Sequence, residues 1–295
     1  MWVVPRATAN GLDIEYETFG DPSAAPLLLI AGLGSQMISW DEEFCELLAG
    51  RGFNVIRFDN RDIGLSTKLE GAGVPDLSDV LSGAVPSPYR LTDMADDAAG
   101  LLDALGIAAA HVAGVSMGGY IAQLLAIDHP ERVLTLTAII SGPAPREGVP
   151  AKPEGAAVLL TPPAATHDAR ILQGIEIRRV LAGSGDPLDE ERERRRSQRA
   201  VDRSFYPAGT ARQLFATLSA EPWLERLSAV RVPALVIGGV EDVLVPVENA
   251  RMIAAALPNA RLMVIEGMGH DLPRRVWPQV ADAIAELARQ ASAAC

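Results

Sequence analysis

Ser116 is the residue whose neighbours most clearly indicate covalent chemistry. It lies at the centre of Gly114-Val115-Ser116-Met117-Gly118, with a glycine two positions away on each side. A serine on a sharp turn between a strand and a helix adopts strained backbone geometry, and only small neighbours let the chain pass. The turn would place the hydroxyl at a helix N-terminus, where backbone N–H groups stabilise negative charge. The spacing therefore predicts an exposed nucleophile.

A serine hydroxyl is a useful nucleophile only when a base removes its proton. His111 begins an apolar strand, His129 precedes a proline where a helical pattern ends, and His167 lies in the first turn of a predicted helix. These positions favour structural roles. His270 instead follows an apolar strand on a glycine-rich loop, at the edge of the sheet where parallel strands end. We therefore predict that His270 is the general base.

A carboxylate is needed to orient the histidine and to stabilise its protonated form. The loop that follows the preceding apolar strand contains Glu241 and Asp242, whereas the loop after residues 133–140 contains no carboxylate. Position alone leaves Glu241 and Asp242 as alternatives. Either one gives the chain order nucleophile, acid, histidine.

A tetrahedral intermediate also needs hydrogen-bond donors for its oxyanion. The backbone N–H of Met117 is one predicted donor, because it follows the nucleophile at the start of the helix. The second is expected from the loop Ala31-Gly32-Leu33-Gly34, after the first parallel strand, and we assign it to the N–H of Leu33. Ordinary turn formation is the alternative role for these glycines.

Alternating strands and helices would position these residues. Residues 12–18 alternate in polarity after Asn10-Gly11, which favours an antiparallel hairpin. Apolar strands are predicted at residues 27–30, 54–58, 111–115, 133–140, 231–237 and 261–265, and helices at 40–48, 91–105, 119–127, 247–257 and from about 275. Strand–helix alternation indicates an α/β fold with a mostly parallel central sheet and helices on both faces.

The alternation is interrupted after the sixth strand. Connections in α/β units usually span about 2 to 6 residues, and this interruption is far longer. We therefore predict a helical cap, residues 141–225, inserted into a core domain formed by residues 1–140 and 226–295.

Two helices are predicted within this insertion. Thr166 is expected to cap a helix that ends near residue 181, and Asp186-Pro187 to start another. Residues 192–203 form a charged run in which acids and arginines are interleaved at helical spacing. This pattern indicates a solvated helix face rather than a phosphate or nucleic-acid site.

Composition restricts the partners. The chain has 295 residues, a hydrophobic fraction of 48% and a net charge of −12. This charge argues against nucleic acid and anionic membranes, which favour clustered basic residues. Cys45 and Cys295 make neither a disulfide framework nor a metal-ligand cluster, and no cofactor is expected.

Targeting signals are also missing from the pattern of the sequence. Met1-Trp2-Val3-Val4-Pro5-Arg6 lacks the features of a signal peptide, and no apolar run approaches the length of a membrane span. A cytoplasmic protein is therefore expected. The sequence specifies no oligomeric state.

The chain resembles the α/β-hydrolase superfamily over almost its whole length. The resemblance rests on the Ser116 turn, residues 59–66, residues 232–237 with Asp242 and Pro246 behind them, and Gly267-Met268-Gly269-His270. Residues 58–67 and the His270 loop are most similar to the group containing aclacinomycin methylesterase, which cleaves a methyl ester on a polyketide. One departure is Ala31-Gly32, where many relatives have His-Gly.

The resemblance implies the α/β-hydrolase fold and a serine carboxylic-ester hydrolase. Its triad would be Ser116, His270 and Asp242, with Asp242 preferred over Glu241, and it would act through an acyl-enzyme on a small to medium apolar ester. Perhydrolysis, enol-lactone hydrolysis and carbon–carbon bond hydrolysis use the same triad and are alternatives, as is a small-molecule receptor. Halide displacement and epoxide opening are disfavoured, because relatives that catalyse them have Asp in place of Ser116.

Two further groups of residues have both a functional and a structural interpretation. Aromatic side chains of the pocket wall are predicted to be Trp40, Phe205, Phe215 and Trp223, with a place in the core as the alternative. Asn60, Arg61 and Asp62 could bind a ligand. The family resemblance instead implies that the loop at residues 59–66 braces the chain near the Ser116 turn.

Overall fold

A computed structural model describes residues 5–74, 76, 78 and 85–293 of the chain. Its strands are β1 Arg6–Ala9, β2 Leu12–Phe19, β3 Ala25–Ile30, β4 Phe53–Phe58, β5 Ala110–Val115, β6 Val133–Ile139, β7 Ala234–Gly239 and β8 Ala260–Ile265. They form one sheet in the order β1-β2-β4-β3-β5-β6-β7-β8. The pairs β1–β2 and β2–β4 are antiparallel, and the other neighbours are parallel. The predicted mostly parallel sheet is confirmed.

The helices follow the strands in the predicted alternation. They are α1 Glu42–Ala49, α2 Leu91–Ala104, α3 Met117–Asp128, α4 Pro153–Leu160, α5 His167–Leu181, α6 Glu190–Arg203, α7 Pro207–Leu218, α8 Val247–Ala256 and α9 Trp277–Ala293. Short 3-10 helices cover Met37–Ser39, Glu70–Ala72, Pro130–Arg132, Leu224–Ala229 and Arg274–Val276. Among the described helices, none is long and apolar enough to span a membrane.

The strands bury side chains on both faces of the sheet, as parallel strands covered by helices must. In β3, Leu28 and Ile30 pack into the cluster that contains α2, α3 and α8. Leu27 and Leu29 pack into the opposite cluster, against α1 and α9. Successive side chains of a strand point to opposite faces, so one continuous apolar run supplies both layers. The predicted helices on both faces are confirmed.

The opening hairpin also forms as predicted. Ala9 pairs with Leu12, and the two residues between them, Asn10 and Gly11, both have positive φ, 48° and 75°. Those angles match a turn whose twist suits paired strands.

Several element boundaries differ from the sequence prediction. The first helix begins at Glu42 rather than at Trp40, because the Asp41 side chain accepts a hydrogen bond from the N–H of Glu43 and caps it. The helix expected at Asp186-Pro187 begins at Glu190, because Asp189 caps it in the same way. The final helix begins at Trp277, after a 3-10 turn.

Helices α4 to α7 all lie between β6 and β7 in the chain. The predicted start of α5 is confirmed, since Thr166 accepts a hydrogen bond from the N–H of Ala169. Helix α4 was not predicted from the Pro-, Gly- and Ala-rich sequence around it. Helix α6 contacts the core where the side-chain amide of Gln36 donates to the carbonyls of Ala200 and Ser204 at 2.6 and 2.9 Å.

Some residues used in the sequence analysis lie outside the described ranges. They are residues 1–4 and Cys295.

Cys45 is fully buried in α1, and burial raises the pKa of its thiol to about 12.

Candidate active site

The Ser116 turn has the strained geometry that its sequence predicts. Ser116 lies between β5 and α3 with φ 55° and ψ −121°. A Cβ atom on Gly114 would lie 2.0 Å from the carbonyl oxygen of Gly118, and a Cβ atom on Gly118 would lie 2.1 Å from the carbonyl oxygen of Ile30. Both positions therefore require glycine for steric reasons.

Three predicted residues from different strand-end loops meet at this turn. The Nε2 atom of His270 lies 2.9 Å from the Oγ atom of Ser116, and its Nδ1 atom lies 2.8 Å from Oδ2 of Asp242. The other oxygen of Asp242 accepts hydrogen bonds from the N–H groups of Leu244 and Val245, both at 2.8 Å. These two bonds fix the carboxylate so that its free oxygen faces the imidazole.

Glu241 bonds to a different partner. Its carboxylate accepts two hydrogen bonds from Ser184, one from the backbone N–H and one from the hydroxyl, each at 2.7 Å. These bonds hold the pKa of Glu241 below its usual value. The structure thus places Asp242, rather than Glu241, beside His270.

The other histidines have partners away from Ser116. His111 Nδ1 lies 2.9 Å from the hydroxyl of Thr135, and burial lowers the pKa of its imidazole. The Nε2 atom of His129 lies 2.7 Å from Asp96, and the imidazole of His167 lies within hydrogen-bonding distance of Asp202 and Asp168.

The two predicted oxyanion donors belong to segments next to the serine. Met117 is the first residue of α3, directly after Ser116. The loop after β3 lies close by, because a Cβ atom on Gly32 would be 3.9 Å from the Ser116 Oγ. The N–H of Gly34 already donates to Gln213 at 2.9 Å. Within the described ranges, the N–H groups of Leu33 and Met117 have no protein acceptor.

The His270 loop is held by the last residue of α5 and by the loop between α5 and α6. The N–H of His270 donates to the carbonyl of Leu181 at 2.7 Å, and the N–H of Gly185 donates to Gly267 at 2.9 Å. A Cβ atom on Gly183 would lie 2.2 Å from the carbonyl oxygen of Gly267 and 2.5 Å from the nitrogen of Gly269. The two loops are therefore in direct backbone contact.

A cavity of about 750 Å³ opens above Ser116 and His270. Trp40 and Phe205 line it, as predicted. The expectation that Phe215 and Trp223 also line it is not met, because both are buried elsewhere, with 4% and 2% of their surface exposed.

Trp223 belongs to the packed interior. Its indole N–H donates to the side chain of Gln123 at 3.1 Å, and its ring packs edge-to-face against Tyr120. Aromatic residues that face a cavity and aromatic residues that face the core have the same spacing in the sequence. The sequence pattern therefore did not distinguish the two groups.

The loop at residues 59–66 uses its polar groups for packing. Arg61 pairs with Asp97 at 2.6 Å, and Asp62 accepts two hydrogen bonds of 2.8 Å from Arg212. Asn60 donates to the carbonyl of Ala31, which anchors the loop after β3. These contacts agree with the structural interpretation rather than with ligand binding.

The sequence analysis missed the contribution of α5 to the cavity wall. The residues of this helix that line the cavity are Gln173, Gly174, Ile177, Arg178 and Leu181. Their spacing places them on one face of the helix. The pattern was visible, but nothing in the sequence specifies which helix face turns towards a cavity. Among the described residues, no group of three or more His, Cys, Asp or Glu side chains could hold a metal ion.

Comparison with known proteins gives consistent matches. A family model described as alpha/beta hydrolase fold matches residues 25–273. The chain is 36% identical to rhodomycin D methylesterase DauP of Streptomyces sp. (strain C5), an alignment that covers 97% of this chain and 98% of that protein. It is 35% identical, with the same coverage, to rhodomycin D methylesterase DnrP of Streptomyces peucetius.

A solved structure has a similar fold. It is a meta-cleavage product hydrolase from Pseudomonas fluorescens IP01, complexed with acetates, with a TM-score of 0.77 at 20% identity. The match covers 97% of this chain and 98% of that one.

Proposed function

The chain belongs to the alpha/beta hydrolase family, and we propose that it is a serine carboxylic-ester hydrolase. The observation that carries this proposal is the continuous chain of hydrogen bonds from Ser116 through His270 to Asp242. This arrangement is a catalytic triad of serine, histidine and buried carboxylate. Such a triad activates the serine hydroxyl for acyl transfer.

The first half of the reaction follows from this arrangement. The Oγ of Ser116 attacks the ester carbonyl while Nε2 of His270 takes its proton, and Asp242 stabilises the resulting imidazolium. The N–H groups of Leu33 and Met117 donate to the oxyanion. His270 then protonates the departing alcohol, which leaves an acyl group on Ser116.

The second half uses water as the nucleophile. His270 removes a proton from water, which attacks the acyl carbonyl, and the same proton returns to Ser116 as the carboxylic acid leaves. No step requires a metal or a cofactor.

We propose a methyl ester of a bulky, largely apolar acid as the substrate. Two relatives that are 36% and 35% identical over nearly the whole chain are named rhodomycin D methylesterases. The cavity of about 750 Å³ supports a large acyl group, since small-molecule sites usually measure about 300 to 1,000 Å³.

We also propose that residues 141–225 form a cap over a core made of residues 1–140 and 226–295. Support comes from helices α5 and α6, which lie in this insertion and line the cavity. The triad would then stay on loops of the rigid sheet while the insertion supplies the wall around the acyl group.

The proposal is tested by a turnover screen of esters that vary in acyl group and in alcohol, run beside a Ser116→Ala control. We expect multiple turnovers on methyl esters and a loss of at least about 10³-fold in the control. Equal rates for the wild type and the control would refute the proposal. Wild-type turnover of lactones or diketones without turnover of esters would assign the same triad to one of the alternative reactions.

A further inference from the structure

Arg178 lines the cavity, and its guanidinium makes no hydrogen bond to any of the described residues. It lies on the face of α5 that borders the cavity, and 22% of its side chain is exposed. Its nearest carboxylate oxygen is Oε2 of Glu193, 3.8 Å from its Nε atom, which is too long for a hydrogen bond. Among the described residues, no acceptor bonds to its guanidinium. The guanidinium has five N–H donors, so it can donate hydrogen bonds to a ligand in the cavity.

The neighbouring carboxylate is engaged by another arginine. Glu193 accepts hydrogen bonds from Nη1 of Arg196 at 3.1 and 3.4 Å. Burial, and after it the charge of Arg196, lowers the pKa of Arg178. Arginine stays protonated even so, which leaves a poorly solvated cation at the cavity wall.

The other charges around this part of the cavity are balanced locally. Arg192 pairs with Asp41 at 2.7 Å, and Arg199 pairs with Glu42 at 2.5 Å. Asp271 accepts a hydrogen bond from the N–H of Gly269 at 3.2 Å; burial raises the pKa of its carboxyl, and the positive charge of Arg178 opposes that rise. Asp271 and Glu193 attract the positive charge of Arg178, yet no acceptor in the described ranges takes a hydrogen bond from its guanidinium.

We infer that Arg178 binds a carboxylate on the acyl part of the substrate, remote from the ester that is cleaved, and so determines specificity. The site would hold the carboxylate by charge-assisted hydrogen bonds from the guanidinium, in a fork geometry that suits two oxygens. This inference rests on the proposed ester hydrolysis, because Ser116 and Arg178 line the same cavity. It adds a charged group to an otherwise apolar substrate.

Paired substrates test the inference. The first series consists of monomethyl esters of linear dicarboxylic acids of increasing length, and the second of the methyl esters of the matching monocarboxylic acids. At the length that spans Ser116 and Arg178, we expect wild type to prefer the charged ester. Arg178→Gln should lower kcat/KM for that ester about 10- to 100-fold and leave the neutral ester within about twofold. Arg178→Lys should recover part of the loss.

Arg195→Gln is the matched control. Arg195 lies on α6, away from the cavity, with 62% of its side chain exposed. Its ion-pair partner among the described residues is Glu191, four residues earlier on the same helix. This variant should behave as wild type on both series. Equal losses for charged and neutral esters in Arg178→Gln, or no wild-type preference for the charged ester at any length, would overturn the inference.

A binding measurement separates this inference from the proposed function. Calorimetry would give the Kd of the preferred charged ester for Ser116→Ala and for the double variant Ser116→Ala/Arg178→Gln. We expect a Kd about 10-fold or more weaker in the double variant. An unchanged Kd would refute the carboxylate site even if ester hydrolysis is established, and full turnover by Ser116→Ala would refute the hydrolysis mechanism whatever the Kd values show.

Discussion

At the scale of single residues, the backbone of Ser116 has a strained conformation. A non-glycine residue with φ of 55° is disfavoured by about 1 to 3 kcal/mol and persists only where the surroundings enforce it. Here the close contact between Gly114 and Gly118 enforces the turn, and the N–H of Ser116 bonds to the carbonyl of Ile139 at 2.9 Å. The hydroxyl is thereby held within hydrogen-bonding distance of His270.

The two adjacent acids should differ sharply in their effect on catalysis. Asp242→Asn should lower kcat by about 10³-fold or more, because an amide cannot stabilise the imidazolium and favours the wrong tautomer. Glu241→Gln should lower it by less than about tenfold, since this side chain bonds to Ser184 and not to His270. Steady-state kinetics on both folded variants decides the matter. Equal losses, or a larger loss for Glu241→Gln, would reassign the acid.

Residue types and spacing were sufficient to predict some of these positions. Ser116 and His270 stand out because glycines surround each in a strand-end loop. Physical reasoning could not choose between Glu241 and Asp242, because neighbouring loop residues point in different directions that only the folded backbone defines. Arg178 was not predicted, since nothing in the sequence reveals that its guanidinium faces the cavity and lacks a hydrogen bond within the described part of the chain.

At the scale of elements, the loop between α5 and α6 supports the loop that carries His270. The contacts are made by backbone atoms, through the bonds of His270 to Leu181 and of Gly185 to Gly267. Glu241 ties the same α5–α6 loop to the end of β7 through Ser184. The segment between β6 and β7, which borders the cavity, thus also contacts the histidine loop directly.

A glycine in this contact should be necessary for activity. In Gly183→Ala, the new methyl group would lie 2.2 Å from the Gly267 carbonyl oxygen, so one of the loops must move. Because displacement of a reacting group by about 1 Å can cost 100-fold in rate, we expect kcat to fall at least about tenfold for short and long esters alike.

The matched control for this variant is Gly71→Ala. Of the residues that the structure describes, none lies within 4 Å of the Cβ position of Gly71, and the φ of Gly71 is not positive. This control should keep wild-type kcat and Tm. Unchanged kcat in Gly183→Ala, measured on protein of verified fold, would show that the α5–α6 loop does not position His270.

The order of strands and helices was predictable from the sequence, but the residues at which they begin and end were not. Apolar runs between turn residues identified β3 to β8, because strands covered on both faces must be continuously apolar. Helix starts depended on which acid turned its side chain to cap the first turn, as with Asp41 and Asp189. Helix α4 escaped prediction because its Pro- and Ala-rich sequence has little amphipathic pattern.

At the scale of the whole molecule, the cavity lies between the sheet and the inserted helices. The core side contributes Ser116, His270 and Trp40, and the insertion contributes Phe205 and faces of α5 and α6. A long helical stretch between β6 and β7 was predictable from the interrupted alternation. Its packing was not, because apolar residues of an insertion can face the cavity or the core with the same spacing.

Substitution of two aromatic residues distinguishes a side chain that lines the cavity from one that packs in the core. Phe205→Ala should lower kcat/KM for bulky methyl esters by about 1 to 3 kcal/mol in transition-state terms and scarcely affect a short acetate ester. Trp223→Ala should instead reduce the free energy of unfolding by about 3 to 5 kcal/mol and leave the ratio of the two substrates unchanged. Kinetics on both esters and urea denaturation measure these effects. A changed substrate ratio in Trp223→Ala alone would reverse the assignment.

The central claim, that Ser116 is a nucleophile activated by His270, is tested most directly by covalent labelling. A fluorophosphonate probe reacts with activated serines, and mass spectrometry of the digested protein locates the adduct. We predict a single adduct on Ser116 in the wild type, matched by loss of ester turnover, and a rate of labelling at least about 10³-fold lower in His270→Ala. An adduct on another residue, or full ester turnover after Ser116 has been modified, would contradict the claim.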